Sequence, residues 1–550
     1  MFKGLAGSSR RLTVKRQLLR SASVIALVTV ISRICGYLRD QRVALLLGTS
    51  PAADSLVLVF GIPNLIRRLS GEGALGAAFI PVFTGYLRDK PRAEAWGLAQ
   101  KVFWDMAAVL GALSALGIVF SRQVVRIFTL FSHDPAQWDL AVFLNRIVVP
   151  AVFFIALAGI AAAVLNSFHV FGLPASTSIF FNLVMILFSF GIVYRPIMRM
   201  APERFQTPAV ALACSFLLGG IIQFGMQVPA LARLGMRFRS EFSLRDPGVL
   251  KVGRLMGPSV FAVGVYQINF VVDRVFATAN GMPAGSVMSL YVAERVMQLA
   301  LGIFAMAMAT VILPTMSHQA AAKDFGEMKR TFGFSLRIVS FIAIPAAVGL
   351  ILLRQPIVQV LFQHGKFVAE STALTARALF YYSLGLPAFA AIKLITPMYY
   401  SMHDTMTPAR VGAYALGMNV VLNAAFLIFF LRYLSNGSPA LASSAAAYFN
   451  FLMLFAIFRK RHGRLGARGL AASLGKMGAC AAAMAAACYW GLKVSGFSAA
   501  EHFLAQAGLL TAIIVASIGI YFGLAWVMRC EELGEVFIFL RRAERGVAGS

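Results

Sequence analysis

The chain has 550 residues, 59% of them hydrophobic and only 13% charged, with a mean hydropathy of +0.77. That excludes a soluble globular domain, and apolar runs that are long instead of short and alternating argue against a lipid-facing β-barrel. The formal net charge of +28 does not indicate nucleic acid, because the basic residues are scattered among the segments between apolar runs and form no single stripe.

The first 20 residues carry Lys3, Arg10, Arg11, Lys15, Arg16 and Arg20. The apolar run that follows is too long for a signal peptide and has no A-x-A-like cleavage site, so a first membrane helix is expected. Stretches of about 20 apolar residues, enough to cross roughly 30 Å of hydrocarbon, then recur along nearly the whole chain. Fourteen spans are expected, beginning near residues 21, 53, 102, 140, 174, 208, 250, 285, 333, 373, 408, 438, 470 and 506. The basic connections "RLGMRFRSEFSLRDPGVLKVGR" and "RKRHGRLGARG" fall on the side of the N-terminus in an alternating count, as do Arg541, Arg542 and Arg545. The positive-inside rule makes that side cytoplasmic.

A faint repeat links the second span to the eighth. Ser55-Leu56 precedes Pro81 by 26 residues and Ser289-Leu290 precedes Pro314 by 25. An offset of six spans implies two six-helix halves of like orientation with a central site between them. The expected organisation is therefore an all-α polytopic protein with a basic segment 1–20, an N-terminal lobe 21–235, a linker 236–250, a C-terminal lobe 251–460, two added spans over 461–530 and a tail 531–550. The small-residue stretch "MGACAAAMAAACYWGL" in the thirteenth span suits close helix contact.

Charges lie inside these spans: Arg33, Arg39, Asp40 and Arg42 in the first, Asp54, Arg67, Arg68 and Glu72 in the second, Asp273 and Arg274 in the seventh, Glu294 and Arg295 in the eighth, and Lys393 in the tenth. Each would cost roughly 2.5–3.5 kcal/mol against lipid. Arg42, Arg68 and Arg274 have a simple explanation in snorkelling or in local pairing with Asp40, Glu72 or Asp273. Arg33, Arg39, Arg67 and Arg295 are better placed in a water-filled cavity between the halves, since Arg33 and Arg39, six residues apart, lie within about 120° of one another on a helix. Paired guanidinium donors suit phosphate oxygens. Asp54, Glu72, Asp273 and Glu294 would partly neutralise such a cavity when empty. Neighbouring residues point about 100° apart, so Arg295 is expected to face the cavity and Glu294 to contact another helix and latch the lobes in one state.

Gly71, Gly73 and Gly76 spell G-x-G-x-x-G, but no strand or βαβ unit surrounds them, so a nucleotide site is not expected. Five cysteines lack paired spacing, and seven dispersed histidines form no H-E-x-x-H or Cys/His cluster. No nucleophile or metal site is evident, so no enzyme activity and no cofactor are expected.

Together, "SRICGYLRD", "AADSLVLVFGIPNLIRRLSGEGALGAAFIPVF", "LNSFHVFGLPASTSIFFN", "VMQLALGIFAMAMATVILPTMS" and "LPAFAAIKLITPMYYSMHDTMTP" resemble the motifs of the MurJ (MviN) family of lipid II flippases, over about residues 20–460. The resemblance implies the multidrug/oligosaccharidyl-lipid/polysaccharide exporter fold, alternating access, and lipid II, the undecaprenyl-pyrophosphate-linked disaccharide-pentapeptide, as cargo. Carried over, the family's functional arginines match Arg33, Arg39, Arg67 and Arg295, its acidic positions match Asp54 and Glu72, and Glu294 stands where some members have Asp. Asn64, in the same stretch of span 2, joins the implied substrate-binding set. A sodium site described for some members would fall near Asp273, Asn419 and Asn423, although span 11 here has no carboxylate. The implied setting is the bacterial inner membrane with both termini cytoplasmic. The expected partners are lipid II and membrane lipids, with cell-wall synthesis proteins as further candidates, and a monomer is expected. The alternatives are a related polysaccharide-lipid flippase, an ion-coupled exporter of the same superfamily, or a membrane enzyme acting on a lipid-linked substrate.

Overall fold

The computed structural model describes residues 27–69, 75–129, 134–191, 207–243, 245–463, 467–497 and 502–535. These residues are helical, with no strand among them. Helix α1 spans residues 27–47. With α2 (Pro51–Leu69), α3 (Leu75–Asp89), α4 (Arg92–Val119), α5 (Ser121–Phe128), α6 (Pro135–Val148), α7 (Pro150–Ser167), α8 (Gly172–Ser189), α9 (Pro208–Gly225) and α10 (Val228–Leu234) it makes the first lobe. The second lobe holds α11 (Pro247–Phe276), α12 (Ser286–Ala321), α13 (Phe325–Phe362), α14 (Ala369–Ser401), α15 (Met406–Phe429), the one-turn α16 (Leu431–Leu434) and α17 (Ser438–His462). Two more helices follow, α18 (Ala467–Val494) and α19 (Phe503–Val527).

Among the described residues ten helical stretches are long and apolar enough to cross a membrane, three of them joining neighbouring helices (α6–α7, α9–α10 and α16–α17). A helix suits lipid because it satisfies its own backbone groups. Several begin earlier than hydropathy suggests: α4 starts at Arg92 and α13 at Phe325, since polar first turns continue the helix beyond the hydrocarbon. The starts are set by capping. Asp134, Thr207 and Asp246 accept hydrogen bonds from first-turn N–H groups of α6, α9 and α11, and each is followed by a proline whose fixed φ favours the first helical position. Asp246 also binds Lys101 Nζ at 2.8 Å, which ties the start of the second lobe to α4.

Helix α14 is the axis of the second lobe and packs on α12, α13 and α17. Tyr382 and Tyr399 of α14 are fully buried with Phe332 and Phe341 of α13 in one continuous core. A second core surrounds Phe79, Phe83, Trp96 and Phe103 in the first lobe, with Trp96 stacked on Phe168 at 5.2 Å. Between lipid-embedded helices the driving force is close packing and internal hydrogen bonding. Met477, Cys480, Ala481 and Met484 of α18 accordingly join the α13 core, and Tyr521 of α19 donates to the Phe341 carbonyl at 2.8 Å. The five cysteines are unpaired.

Candidate functional site: a cation-rich cavity between the lobes

A cavity of about 1480 Å³ lies between the lobes, walled by α1, α2 and α8 on one side and by α12, α14, α15 and α17 on the other. Among the described residues its lining includes Arg33, Arg39, Arg295 and Lys393 against one carboxylate, Asp40, a formal excess of three positive charges. Asn64 also reaches the wall.

Asp40 joins the two lobes. Its Oδ1 accepts from Arg39 Nη2 at 2.7 Å and from the Tyr291 hydroxyl at 2.8 Å, and its Oδ2 lies 3.2 Å from Arg295 Nε. Arg39 reaches further, donating through Nη1 to Asn182 Oδ1 of α8 at 2.9 Å. Arg295 donates to the Tyr291 hydroxyl at 3.3 Å and lies over that ring, 5.0 Å from its centroid. Arg33 crosses the interface differently, its guanidinium lying so near Gly302 of α12 that a Cβ there would sit 3.1 Å from Nη1. The arginines are thus held apart by one carboxylate, one amide and one ring, with donors left facing the cavity. Such an arrangement accepts an anion without first breaking a packed core.

Beyond the cavity the lobes are closed at the end where α1 stops. Asp54 of α2, 4% exposed, accepts from the backbone N–H groups of Gly285 at 2.9 Å and Met288 at 2.7 Å, capping α12 from the other lobe. Gly285 has φ +83, and a Cβ on it would meet the Thr49 carbonyl oxygen at 2.3 Å. The Lys366 N–H donates to the Leu45 carbonyl at 2.9 Å, and the Thr49 and Ser371 hydroxyls are hydrogen-bonded at 2.7 Å.

The remaining expected site residues are distributed unevenly. Arg33, Arg39, Asn64 and Arg295 meet at the cavity, whereas Asp54 and Glu294 lie off its wall. Glu294 pairs with Arg274 of α11, in its own lobe, at 2.9 Å and accepts from Gln298 Nε2 at 2.6 Å. The Arg274 guanidinium lies 3.6 Å from where a Cβ on Gly61 of α2 would stand, so that ion pair borders the interface. The local pairings expected for Arg274 and Arg42 are not formed: Arg274 turns from Asp273 to Glu294, and Arg42 leaves Asp40 to donate to the Ser189 hydroxyl at 3.1 Å and cover the Phe190 ring at 4.0 Å. The Arg67 and Arg68 side chains and Glu72 lie outside the described residues.

Asp273, Asn419 and Asn423 do come together, fully enclosed. Asp273 Oδ1 accepts from Asn419 Nδ2 at 3.0 Å and Asn423 Nδ2 at 3.2 Å, and Oδ2 accepts from Ser443 Oγ and from the Tyr382 hydroxyl at 3.4 Å. The donor set is one carboxylate, two amides and two hydroxyls, all able to present oxygen to a hard cation once the amides turn. Among the described residues no group of three or more His, Cys, Asp or Glu could hold a metal. Sequence reasoning did not select Asp40, Tyr291 and Asn182 as site residues. Asp40 had a visible signal beside Arg39 inside an apolar run, while Tyr291 and Asn182 had none.

The family model for the lipid II flippase MurJ matches residues 43–508. This chain belongs to the MurJ family. It is 34% identical over 451 residues to the probable lipid II flippase MurJ of Vibrio cholerae, covering 80% of this chain and 83% of that protein. It is 29% identical over 517 residues to the lipid II flippase MurJ of Burkholderia cenocepacia, covering 93% and 97%. Among solved structures it is similar to a MurJ in an inward closed conformation, with TM-score 0.73 and 24% identity over 90% of this chain and 98% of that one. An inward-facing MATE-family transporter of the MOP superfamily superposes at TM-score 0.65 and 15% identity, covering 80% and 98%. The MurJ fold thus accounts for the two lobes, and the cavity falls between them.

Proposed function

We propose that this chain moves lipid II from the cytoplasmic to the periplasmic leaflet by alternating access, without covalent chemistry and without a cofactor. One observation carries the reading: in a member of the MurJ family, Arg33, Arg39 and Arg295 converge on one interlobe cavity, where Asp40 bridges Arg39 and Arg295. The diphosphate would displace Asp40 from the two guanidinium groups, and the head group would occupy the rest of the volume. Arg67 and Glu72 belong to the same proposed set.

The proposed topology has fourteen spans, with α2–α3, α6–α7 and α9–α10 each counted as one interrupted span and the short α5 and α16 not counted, both termini cytoplasmic, and lobes at residues 21–235 and 251–460. On that topology the closed end at Thr49, Asp54 and Gly285 is periplasmic. Lipid II and membrane lipids are the proposed partners, cell-wall synthesis proteins are further candidates, and the working unit is a monomer in the bacterial inner membrane. The Asp273–Asn419–Asn423 cluster is the proposed site of a coupling cation, which biases the two states only to the extent that it binds them unequally.

The experiment is transport of lipid II by the purified chain in vesicles, with one ion gradient or a membrane potential imposed at a time, and product analysis for altered chemistry. Lipid II moved unaltered supports the reading, and a chemically altered product replaces it with an enzyme. Export of a cationic drug is disfavoured by a cavity that carries excess positive charge.

A further inference from the structure

A second cavity, of about 260 Å³, lies between α13, α14 and α16 and shares no lining residue with the central one. Arg354, Arg377, Phe380, Tyr381 and Tyr433 line it, with no carboxylate among the described lining residues. The Arg354 guanidinium is already oriented: Nη1 donates to the Ile351 carbonyl, and the group lies 5.2 Å over the Phe380 ring. The wall carrying Tyr433 is fixed as well. Asn436, completely buried, donates to the Leu374 carbonyl at 2.8 Å and to the Ser289 hydroxyl at 2.9 Å, which pins the turn after α16 to α14 and α12.

The position of this cavity across the membrane makes its charge unexpected. Helix α17 runs 25 residues from Ser438, beside the cavity, to the basic end Arg459, Lys460, Arg461 and His462, a rise of about 37 Å. The cavity therefore faces the leaflet opposite that basic cluster, where arginines are ordinarily sparse. Arg432, next to Tyr433, adds a third cation there. The end of α15 and α16 itself also expose large side chains: Ile428 is 71% exposed, Phe429 72% and Tyr433 80%. Aromatic groups with one apolar and one polar end settle at the head-group level of a bilayer.

We propose that this cavity binds the phosphate of an anionic glycerophospholipid. Two guanidinium groups present planar donors to the phosphate oxygens, Tyr381 and Tyr433 supply hydroxyls near the glycerol, and the exposed strip of Ile428 and Phe429 receives the first acyl carbons. That apolar strip favours a lipid over a free phosphate ion. The proposal does not depend on which cargo the central cavity carries.

The test uses the full chain, purified in a neutral detergent, with bound lipid counted by native mass spectrometry and melting followed in parallel. Phosphatidylglycerol, phosphatidylcholine and millimolar inorganic phosphate are the probes. Phosphatidylglycerol is expected to bind and raise Tm, phosphatidylcholine to do neither, and inorganic phosphate not to displace the bound lipid. Arg354→Gln with Arg377→Gln should weaken phosphatidylglycerol binding by about tenfold for each guanidinium removed, with unchanged melting in phosphatidylcholine as the folding control. Arg377→Gln alone, at an exposed position, keeps the test open should the double variant not fold. Parent-like binding by these variants overturns the site, and displacement by inorganic phosphate overturns the lipid as its occupant.

Discussion

Asp40 sets the charge balance of the cavity, because it is the one carboxylate among the described lining residues and it touches both Arg39 and Arg295. Asp40→Asn keeps the shape and removes the counter-charge. Binding of a short-chain prenyl diphosphate should tighten by about fivefold, equivalent to roughly 1 kcal/mol. Folded-state stability should fall by about 1–3 kcal/mol as two guanidinium groups lose a charged acceptor. Calorimetric titration together with thermal melting reads both. Weaker diphosphate binding would mean that Asp40 is a cargo ligand and not a counter-ion. The adjacent pair Glu294 and Arg295 illustrates the same point. Helical geometry turns one toward Arg274 and the other toward Asp40, so two neighbouring charges serve different elements.

At the scale of elements, the junction between α2 and α12 closes one end of the interface. Gly285→Ala would place a residue that disfavours positive φ at +83 and drive its Cβ into the Thr49 backbone, at a cost of about 1–2 kcal/mol for the left-handed conformation alone. Neither backbone can rotate away, so the variant should favour the state opened at this end. Ser371→Cys, buried beside Thr49, should become reactive to a membrane-impermeant thiol reagent added from that side only in the Gly285→Ala background. Equal labelling with and without Gly285→Ala would show that this junction does not gate access.

A second junction, between α14 and α15, should respond to acid. Burial alone would push the Asp404 carboxyl up, but hydrogen bonds from the Thr407 hydroxyl and N–H and from Arg461 outweigh it and hold the group below its ordinary range. A depressed folded-state value means that the stabilisation is present above the unfolded pKa, about 4, and is lost as pH falls through the folded one. Hydrogen-exchange protection of the first turn of α15 should therefore drop below about pH 4 in the parent. In Asp404→Asn it should be lower at neutral pH and change little with acid. A parent whose protection is flat with pH would remove Asp404 from the account.

For the whole molecule, α18 and α19 attach chiefly to α13, through the Met477–Met484 face, the Tyr521 hydroxyl and a small apolar cluster around Leu353 and Cys488. One core of the first lobe contains none of their residues, whereas the core around α14 runs through both lobes and takes in the α18 and α19 residues only at its α13 side. A chain ending at residue 463 should stay folded, with a melting transition in detergent, and should no longer move lipid II in vesicles. Transport at the parent rate would show that these helices take no part in handling the lipid. Helices α2 and α12, the second and eighth expected spans, meet across the interface, Asp54 of one capping the other.

What the sequence by itself determined was the solvent around the helices and the expectation that their arginines avoid it. Run length against hydrocarbon thickness identifies helices in lipid, and the expense of an arginine there argues that Arg33, Arg39 and Arg295 face water. These are local properties, legible at fixed spacing along one helix. Only the tertiary structure decided the partners, because they lie far apart in the chain: Asp40 meets Tyr291 across 251 residues and Arg39 meets Asn182 across 143. Periodicity states which way a side chain points but not which helix stands opposite. For that reason Asp54, grouped by charge with the cavity, proved to be the cap of a helix in the other lobe, while Asp40, set aside as a local partner for Arg42, became the bridge between the lobes.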